Sequence, residues 1–386
     1  MDIVKLKDLT VDGKGTYGVA APAVEYQENL PTYLRITDIL DDGTLNLLEL
    51  KSVKVPDSER YMLRPNDIVF ARTGGSTGRN YFYDGTDGAF VYAGFLIKFS
   101  LDPKKVNPKF IKYFCQSEQY KQWVRSFNTG STRGNINAQT FGNMEIALPG
   151  RKQQDRLVSI LESIGKKIKL NKKINDNLEQ QTAALFSSLY NRSNTEVRYT
   201  DLIQILGGGT PKTGEPAYWN GNIAFFTPKD VGAPYTFITE KTITEEGLSH
   251  CNSRLYPVNT VFVTARGTVG KVGLSGVPMA MNQSCYALVG KETHQLLVYF
   301  YTLKAVDRLK HKASGAVFDA ITTRDFDSEQ IMKLSDDDAK AFLCVAEPMF
   351  QEILNNSIEN LRLSTLRDFL LPKLMSGEID VSSVQL

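Results

Sequence analysis

The segment that decides the fold lies in the middle of the chain. Residues 152–191 read KQQDRLVSILESIGKKIKLNKKINDNLEQQTAALFSSLYN, with no Pro and one Gly. Apolar side chains recur there every three or four residues, which predicts an α-helix with a coiled-coil seam. The seam residues are Leu157, Leu161, Ile164, Ile168, Leu178, Leu185 and Leu189. At ~1.5 Å per residue, such a helix would be roughly 60 Å long.

Polar residues interrupt this seam at three places. Asn171, Asn175 and Thr182 occupy positions between the apolar ones. A buried Asn in a coiled coil fixes the register of the paired helices at some cost in stability. The pattern therefore predicts a helix with a partner in a defined register.

A second long helix is predicted at the end of the chain, after Ser335 and three Asp residues that suit a helix N-terminus. Pro348 is expected to kink or restart it, and Pro372 and Gly377 to end it. Its apolar face comprises Phe350, Leu354, Ile358, Leu361, Leu366, Phe369 and Leu370.

The two helical segments carry opposite charge. Residues 151–192 have nine basic and four acidic residues, and residues 336–386 have four basic and nine acidic residues. Opposite net charges of +5 and −5, together with two apolar seams, favour an antiparallel intramolecular pair. The alternative is that each helix merely covers its own globular domain.

The chain also repeats itself at long range. Residues 63–70 resemble 255–262, residues 75–79 align on 267–271, Phe141 matches Phe326, and residues 171–174 match 355–358. The offset falls from about 193 to 184 along the chain, which is what a few loop deletions would produce. Two copies of a globule followed by a helix would give approximate two-fold symmetry.

Each globule reads as mixed α and β structure. Strands are predicted at residues 67–71, 88–99 and 260–264, and helices at 110–127 and 294–312. The predicted fold class is α+β, mixed α/β globules with long helices that pair as an antiparallel coiled coil. The predicted domains are globules at residues 1–150 and 193–335, a central helix at 151–192, and a C-terminal helix with its tail at 336–386.

Composition restricts the class of protein. The 386 residues are 42% hydrophobic and 23% charged, and include no apolar run long enough to span a membrane. The cysteines, Cys115, Cys251, Cys285 and Cys344, are far apart, which argues against a zinc finger or a disulfide framework. A cytoplasmic location is expected. Both globules are close to neutral, so any DNA affinity of the chain alone should be modest.

A search for catalytic residues finds none that form a convincing set, and no metal site is predicted. Residues 207–213 resemble a phosphate-binding loop, but Pro211 precedes the Lys where such loops have Gly. Asp42, Glu49 and Lys51 could form the site of a metal-dependent nuclease, although short strings of this kind are common on solvated strand edges. A repeat adaptor that joins proteins without binding DNA is a further alternative.

Glycine-rich polar loops at equivalent places in the repeat offer recognition chemistry instead. Glycines allow close approach to a duplex, Arg and Lys contact phosphate or guanine, and Ser, Thr and Asn hydrogen-bond to either. The predicted DNA contacts are Arg72, Ser76, Thr77, Arg79, Asn80, Thr132, Arg133, Asn135, Thr210, Lys212, Arg266, Thr268, Lys271 and Lys312. The alternative for each loop is an ordinary turn.

Taken together, these features resemble the DNA specificity (S) subunit of type I restriction-modification systems, over essentially the whole chain. Local strings that carry the resemblance are residues 207–212 with 218–221, residues 266–271, and LRDFLLPKLMSGEI at 366–379. The family's helix signature of Pro, Leu and Gln is kept loosely at residues 148–154 and is missing from the second helix.

The resemblance implies a non-catalytic subunit for anti-phage defence. Each globule would be a target recognition domain that reads one half of a bipartite asymmetric site in double-stranded DNA. The helices would set the spacer and dock two methyltransferase (M) subunits, and restriction (R) subunits would join them. S-adenosylmethionine, ATP and Mg²⁺ would be bound by those partners, with no cofactor on this chain.

Overall fold

The computed structural model describes residues 2–127, 134–232, 234–312, 320–379 and 381. The chain packs into two compact units. Unit 1 comprises Met1–Lys167 and Arg362–Leu386, and unit 2 comprises Ile168–Leu361. Each unit therefore contains one globule, the beginning of one long helix and the end of the other.

Unit 1 consists of small antiparallel and mixed sheets with short helices packed on them. Strands β2, β9, β6 and β7 form one four-stranded sheet in that order, and β3, β5, β4 and β8 form another. The first strand pairs with the last, β1 with β10. The strands are β1 (Asp2–Lys5), β2 (Thr16–Tyr17), β3 (Ala23–Glu25), β4 (Thr32–Leu34), β5 (Lys51–Val53), β6 (Asp67–Ala71), β7 (Asn80–Tyr83), β8 (Phe90–Tyr92), β9 (Leu96–Ser100) and β10 (Glu145–Leu148). The helices are α1 (Pro108–Phe114), α2 (Glu118–Arg125), α3 (Ala138–Gly142) and the long α4 (Arg151–Arg192).

Two predicted elements of unit 1 are each divided in the structure. The strand expected at residues 88–99 is β8 and β9, separated by a turn at residues 93–95. The helix expected at residues 110–127 is α1 and α2, because the Ser117 hydroxyl accepts the backbone N–H of Tyr120 and caps a new helix. The strand expected at residues 67–71 is β6, and all five of its residues are buried.

Unit 2 repeats this arrangement. Strands β12, β19, β16, β17 and β14 form a five-stranded sheet, β15, β13 and β18 a three-stranded sheet, and β11 pairs with β20. The strands are β11 (Thr195–Arg198), β12 (Ile203–Gly207), β13 (Trp219–Phe226), β14 (Tyr235–Thr236), β15 (Lys241–Ile243), β16 (Val261–Thr264), β17 (Val272–Ser275), β18 (Met279–Met281), β19 (Cys285–Gly290) and β20 (Gln330–Lys333). The helices are α5 (Tyr199–Leu202), α6 (Glu245–Ser249), α7 (Gln295–Lys312), α8 (Thr323–Ser328) and α9 (Asp336–Ser376).

The repeat is confirmed, with a corrected register. Asn66 and Asn259 both have left-handed backbone, with φ of 74° and 69°, just before the equivalent strands β6 and β16. Each also donates its backbone N–H to a carbonyl on the next strand of the sheet. Asn259 therefore corresponds to Asn66, whereas the ungapped alignment of residues 63–70 on 255–262 placed it one residue later.

Helix α9 is less interrupted than predicted. It runs from Asp336 to Ser376 through Pro348 and Pro372, so it neither restarts at Pro348 nor ends at Pro372. The end predicted at Gly377 is confirmed, because Gly377 follows the last helical residue directly and has a φ of 78°. Pro removes one backbone hydrogen bond from a helix, and the buried neighbours Ala346 and Phe350 hold the segment in place by packing. The helix begins as predicted, because the Ser335 hydroxyl accepts the backbone N–H of Asp338 at 3.1 Å.

Within unit 2, the two long helices are antiparallel and their polar seam residues form reciprocal hydrogen bonds. The Asn171 amide donates to Asn360 Oδ1 at 3.0 Å, and the Asn356 amide donates to Asn175 Oδ1 at 3.0 Å. Asn356 lies 185 residues after Asn171, and Asn360 lies 185 residues after Asn175. The two bonds are therefore copies of each other at a repeat offset of 185, one residue more than the match of residues 171–174 to 355–358 gave. They fix one register, as the sequence predicted.

Removal of one of these amides should destabilise the helix pair. The substitution Asn175→Ala leaves the Asn356 amide, which is buried, without this acceptor. We expect a loss of about 1–3 kcal/mol in the free energy of unfolding, measured by chemical denaturation. Asn355 is exposed on α9, next to Asn356. Asn355→Ala should therefore change the free energy of unfolding by less than about 0.5 kcal/mol. Equal effects of the two substitutions would contradict a role in register.

Candidate nucleic-acid interface

In unit 1, three segments distant in sequence meet where β6 leaves its sheet. The backbone N–H of Arg72 donates to the carbonyl of Phe95 at 3.0 Å, in the turn between β8 and β9. The carbonyl of Arg72 accepts from Ile136 at 2.9 Å, and the next residue, Thr73, forms a β-bridge with Asn135. We call this meeting point, residues 72–73, 93–95 and 135–136, junction 1.

Unit 2 contains the same meeting point. The backbone N–H of Ala265 donates to the carbonyl of Ser284 at 2.8 Å, and the carbonyl of Ala265 accepts from Ile321 at 2.9 Å. Arg266 forms a β-bridge with Ala320, as Thr73 does with Asn135. We call residues 265–266, 282–284 and 320–321 junction 2. Both junctions place an arginine beside a turn and beside a segment that follows a polar loop.

A glycine brings a further loop against each junction. A Cβ added to Gly18 would lie 2.2 Å from the carbonyl oxygen of Tyr92, and one added to Gly208 would lie 2.2 Å from that of Asn282. Both distances are below any real Cβ contact, so only Gly permits the close approach. Residues 18–20 and 208–210 are therefore fixed beside equivalent turns.

The hairpin loops after β6 and β16 are also equivalent, but they differ by one residue. Gly74 and Gly78 have φ of 79° and 86°, and Gly267 and Gly270 have φ of 81° and 74°. Gly267 thus corresponds to Gly74, and not to Gly75 as the ungapped alignment had it. The deletion lies between the two glycines, where the loop in unit 2 is one residue shorter.

The predicted contact residues of junction 1 include one arginine held by an aromatic ring. The guanidinium carbon of Arg72 lies 5.1 Å from the ring centroid of Tyr17, and its Nε lies 3.4 Å from Asn135 Oδ1. Arg72 is partly exposed and pairs with no carboxylate among the described residues. Its position is set by neutral groups, so its charge remains available to an anion.

Other predicted contacts in unit 1 have structural partners. Arg79 donates to Asp41 at 2.7 Å and to the carbonyl of Ile39 at 3.1 Å, so its charge is already paired. Asn80 is buried and its amide faces the carbonyls of Gly78 and Cys115. Ser76 is buried, and the Thr77 hydroxyl donates to the carbonyls of Gly74 and Gly134.

A hydrogen bond from a buried tyrosine also holds the hairpin loop after β6 in place. The hydroxyl of Tyr120 donates to the carbonyl of Gly78 at 2.6 Å. Burial raises the pKa of Tyr120 well above its ordinary value, so this hydroxyl remains protonated and continues to donate. The loop is therefore a rigid support for whatever its exposed atoms contact.

In unit 2 the predicted cations are more available. Lys212, Arg266 and Lys271 are exposed and have no ion pair within the described ranges, and Thr268 is exposed in the same loop. Lys312 differs, because its ammonium contacts the buried carboxylate of Glu329. Arg266, in junction 2, and Lys271 flank the four-residue loop 267–270, so two unpaired positive charges lie close together in sequence beside this junction. We call Arg266 and Lys271 the cations of junction 2.

Two of the predicted positions, Thr132 and Arg133, lie outside the described residues, as do residues 313–319 of the equivalent loop. The described flanks of these loops, Asn135 and Ala320, nevertheless reach the two junctions. Sequence reasoning missed Phe95 and Gln283, the exposed side chains of the two turns. No sequence signal marks these turns, because residues 93–95 (Ala-Gly-Phe) and 282–284 (Asn-Gln-Ser) share no pattern; their equivalence depends on backbone hydrogen bonds alone.

The predicted helix residues separate into two sets. Leu157, Leu161, Ile164, Leu189, Phe350 and Leu354 are buried, and Ile168, Leu178, Leu185, Ile358, Leu361 and Leu370 are partly buried. Phe369 is different, with 58% of its side chain exposed, and Leu366, one turn earlier, is 44% exposed. Both are exposed apolar side chains on the segment of α9 that belongs to unit 1.

The residues of the nuclease alternative are engaged elsewhere. Asp42 accepts from the backbone N–H and the hydroxyl of Thr44, and Lys51 pairs with Glu25 at 2.7 Å. No group of three or more His, Cys, Asp or Glu side chains within the described residues is arranged to hold a metal ion. Nothing in this geometry favours the nuclease.

Comparison with known proteins decides the family. The family model described as type I restriction modification DNA specificity domain matches residues 3–180 and again residues 191–333. The chain belongs to this family. The two matches correspond to the two halves of the internal repeat, and together they cover most of the chain. The predicted fold class and DNA-specificity function are thereby confirmed, and with them the prediction of a non-catalytic component.

Curated relatives support the same family assignment. The chain is 22% identical over 432 residues to the type I restriction enzyme HindI specificity subunit of Haemophilus influenzae, with 90% of this chain and 94% of the relative covered. It is 32% identical over 124 residues to the type I restriction enzyme MjaIX specificity subunit of Methanocaldococcus jannaschii. That match covers 31% of this chain and 29% of the relative.

A solved structure supports the fold. The type-I restriction-modification system S subunit from M. genitalium matches with a TM-score of 0.59 and 16% identity, over 97% of this chain and 95% of that chain. At this level of identity the likeness concerns the fold alone. Separately, none of the helices in the described part of this specificity-family chain is both long and apolar enough to cross a membrane.

Proposed function

We propose that this chain is the DNA-recognition subunit of a type I restriction-modification complex. Residues 1–150 and 193–335 each read one half of a bipartite, asymmetric site in double-stranded DNA. The observation that carries this proposal is the duplication of the junction, in which a strand end, a turn and a loop flank recur with the same backbone hydrogen bonds. Each junction also carries an arginine, Arg72 in the first and Arg266, one position further along the repeat, in the second. Two rigid junctions that differ in side chains suit two different half-sites.

The partners and cofactors follow from this role. Two methyltransferase (M) subunits dock on the helices, restriction (R) subunits complete the complex, and S-adenosylmethionine, ATP and Mg²⁺ are bound by those subunits. The site of action is the cytoplasm of a prokaryotic cell, where the DNA is. The nearly neutral globules support a complex in which the partners supply many of the phosphate contacts.

The proposal is tested by reconstitution. The chain is co-expressed with an adenine methyltransferase (M) subunit of a type I system, and methylated adenines are mapped across a genome with and without the chain. Methylation at one bipartite sequence, present only with the chain, is expected. Methylation that is independent of the chain, or confined to a single undivided sequence, would contradict the proposal.

The exposed cations of junction 2 should contribute a salt-dependent part of the affinity. Removal of one phosphate-binding cation reduces the slope of log affinity against log salt by about 0.9. We expect Arg266→Ala with Lys271→Ala to weaken DNA binding by the assembled complex and to reduce the slope by about 1–2. Binding is measured by fluorescence anisotropy over a range of salt concentrations.

A matched charge removal elsewhere in unit 2 provides the control. Arg198 is exposed on β11, and Arg198→Ala removes one positive charge outside junction 2. Its slope should stay at that of the unmodified complex. If each of the three substitutions lowers the DNA affinity by the same amount per charge removed, the cations of junction 2 do not contact the DNA, and the prediction is wrong.

A further inference from the structure

The two turns of the junctions hold equivalent positions and carry different exposed side chains. Phe95 and Ser284 accept from the equivalent backbone N–H groups of Arg72 and Ala265. The turns also begin alike, because the N–H of Ala93 donates to Leu34 and that of Asn282 donates to Phe226. Residues 93–95 thus correspond to residues 282–284, with Gly94 in the place of Gln283.

In unit 2 the turn presents an amide with a fixed orientation. Gln283 is exposed, and its Oε1 accepts a hydrogen bond from the hydroxyl of Thr210, in the loop that Gly208 brings close. Asn282 Oδ1 accepts the backbone N–H of Ser284 at 3.0 Å, which stiffens the turn. The Gln283 amide keeps its NH₂ group and one lone pair of Oε1 for another molecule.

In unit 1 the same turn presents an apolar ring. Phe95 is 60% exposed, although burial of an aromatic side chain would be favourable. The backbone carbonyl of Phe95 accepts a hydrogen bond from the backbone N–H of Arg72, which fixes the backbone of Phe95 next to that of Arg72 in junction 1. An exposed ring whose backbone is fixed at junction 1 has no role in the core of unit 1, and it is suited to an apolar contact outside the chain.

We propose that these turns are base-reading elements, with Gln283 and Phe95 as specificity-determining residues of the two half-sites. The Gln283 amide pairs with the N6 and N7 edge of an adenine in the major groove, which is the preferred partner of a Gln side chain. Phe95 contacts the C5-methyl group of a thymine, a contact that apolar side chains make. This inference rests on the proposed function.

Thr210 is a positioning residue in this scheme. Its hydroxyl holds Gln283 Oε1, so it acts on the base through the amide. The substitution Thr210→Val should lower discrimination at the same base pair as Gln283→Ala, to a smaller extent, and Thr210→Ser should restore it. A merely structural Thr210 would instead lower methylation of all sequences alike.

The experiment measures methylation rates of the complex on duplexes in which each position of the target is varied in turn. Gln283→Ala should reduce discrimination at one position of one half-site by roughly tenfold or more. Phe95→Ala should reduce it at one position of the other half-site. Gln204→Ala in unit 2 and Leu48→Ala in unit 1 alter exposed side chains outside the junctions, and should leave both half-sites unchanged.

Base analogues identify the contacted atoms. Replacement of the read adenine by 7-deazaadenine removes N7 and should slow the unmodified complex but leave Gln283→Ala unaffected. Replacement of the read thymine by uracil removes the methyl group and should slow the unmodified complex but leave Phe95→Ala unaffected. Unaltered discrimination in both variants, or equal losses on every sequence, would overturn the inference. Absence of any bipartite pattern with the unmodified complex would overturn the proposed function itself.

Discussion

A matched insertion of seven residues in both long helices is expected to lengthen the recognised spacer by about three base pairs. Two helical turns add ~10 Å, and base pairs in a duplex are spaced at ~3.4 Å. The insertions follow Lys167 in α4 and Leu361 in α9, the points at which the chain passes from one compact unit to the other. Pairing inside each unit is thereby preserved, so both half-sites should stay the same. The new spacer is read by mapping methylated adenines.

An insertion in α4 alone is the informative control. It moves the first segment of α4 out of step with α9, and the helices cannot satisfy both sets of contacts. Placed after Asn171 instead of Lys167, it would also separate Asn171 from Asn175 and break one of the reciprocal bonds. We expect lower stability and loss of methylation at both spacers. An altered half-site after the matched insertion would mean that the helices do more than set spacing.

Truncation of Phe186 is expected to be the most destabilising single change in the long helices. Its side chain is 1% exposed and lies within 5.0–5.5 Å, centroid to centroid, of Phe300, Tyr301 and Phe342. Phe186→Ala would leave a cavity where α4, α7 and α9 meet, at a cost of about 3–5 kcal/mol in the free energy of unfolding. Thermal and chemical denaturation of the chain measure this effect.

Phe369 provides the matched substitution on an open surface. Phe369→Ala should change the free energy of unfolding by less than about 0.5 kcal/mol, because the ring is mostly exposed. Combined with Leu366→Ala, it should weaken co-purification with the methyltransferase, which we propose docks there. Unchanged co-purification would mean that the methyltransferase docks elsewhere. Equal destabilisation by Phe186→Ala and Phe369→Ala would contradict the difference in burial between the two rings.

The sequence predicted the elements whose signal is local and periodic. Seven apolar residues at helical spacing identified α4, and Ser335 with three Asp residues identified the start of α9. The polar seam at Asn171 and Asn175 predicted a fixed register, which reciprocal amide bonds provide. Periodicity failed where one residue interrupts an element, as at Ser117, whose hydroxyl starts α2. At Pro348 the prediction of an interruption was wrong, because tertiary packing outweighs the one backbone hydrogen bond that Pro removes.

For the candidate DNA interface too, the sequence predicted some of the residues and only the structure showed the others. Self-comparison of the sequence identified equivalent loops and their cations, including Arg266 and Lys271, which the structure leaves exposed. It could not distinguish these from Arg79, whose charge is paired with Asp41, a residue 38 positions away. Nor could it identify Phe95 and Gln283, because only backbone bonds between distant segments place those turns beside Arg72 and Arg266.

By itself, therefore, the sequence determined the repeat, the two helices, their opposite charge and the family. Those features depend on spacing and order along the chain, which are read directly from the residues. The tertiary structure alone decided which residues pair along the helix seam, the gaps in the repeat and the composition of each junction. These depend on hydrogen bonds and close approaches between segments far apart in the chain, such as Gly18 against Tyr92 and Thr210 against Gln283. No local pattern encodes such contacts, because they form only when the whole unit has packed.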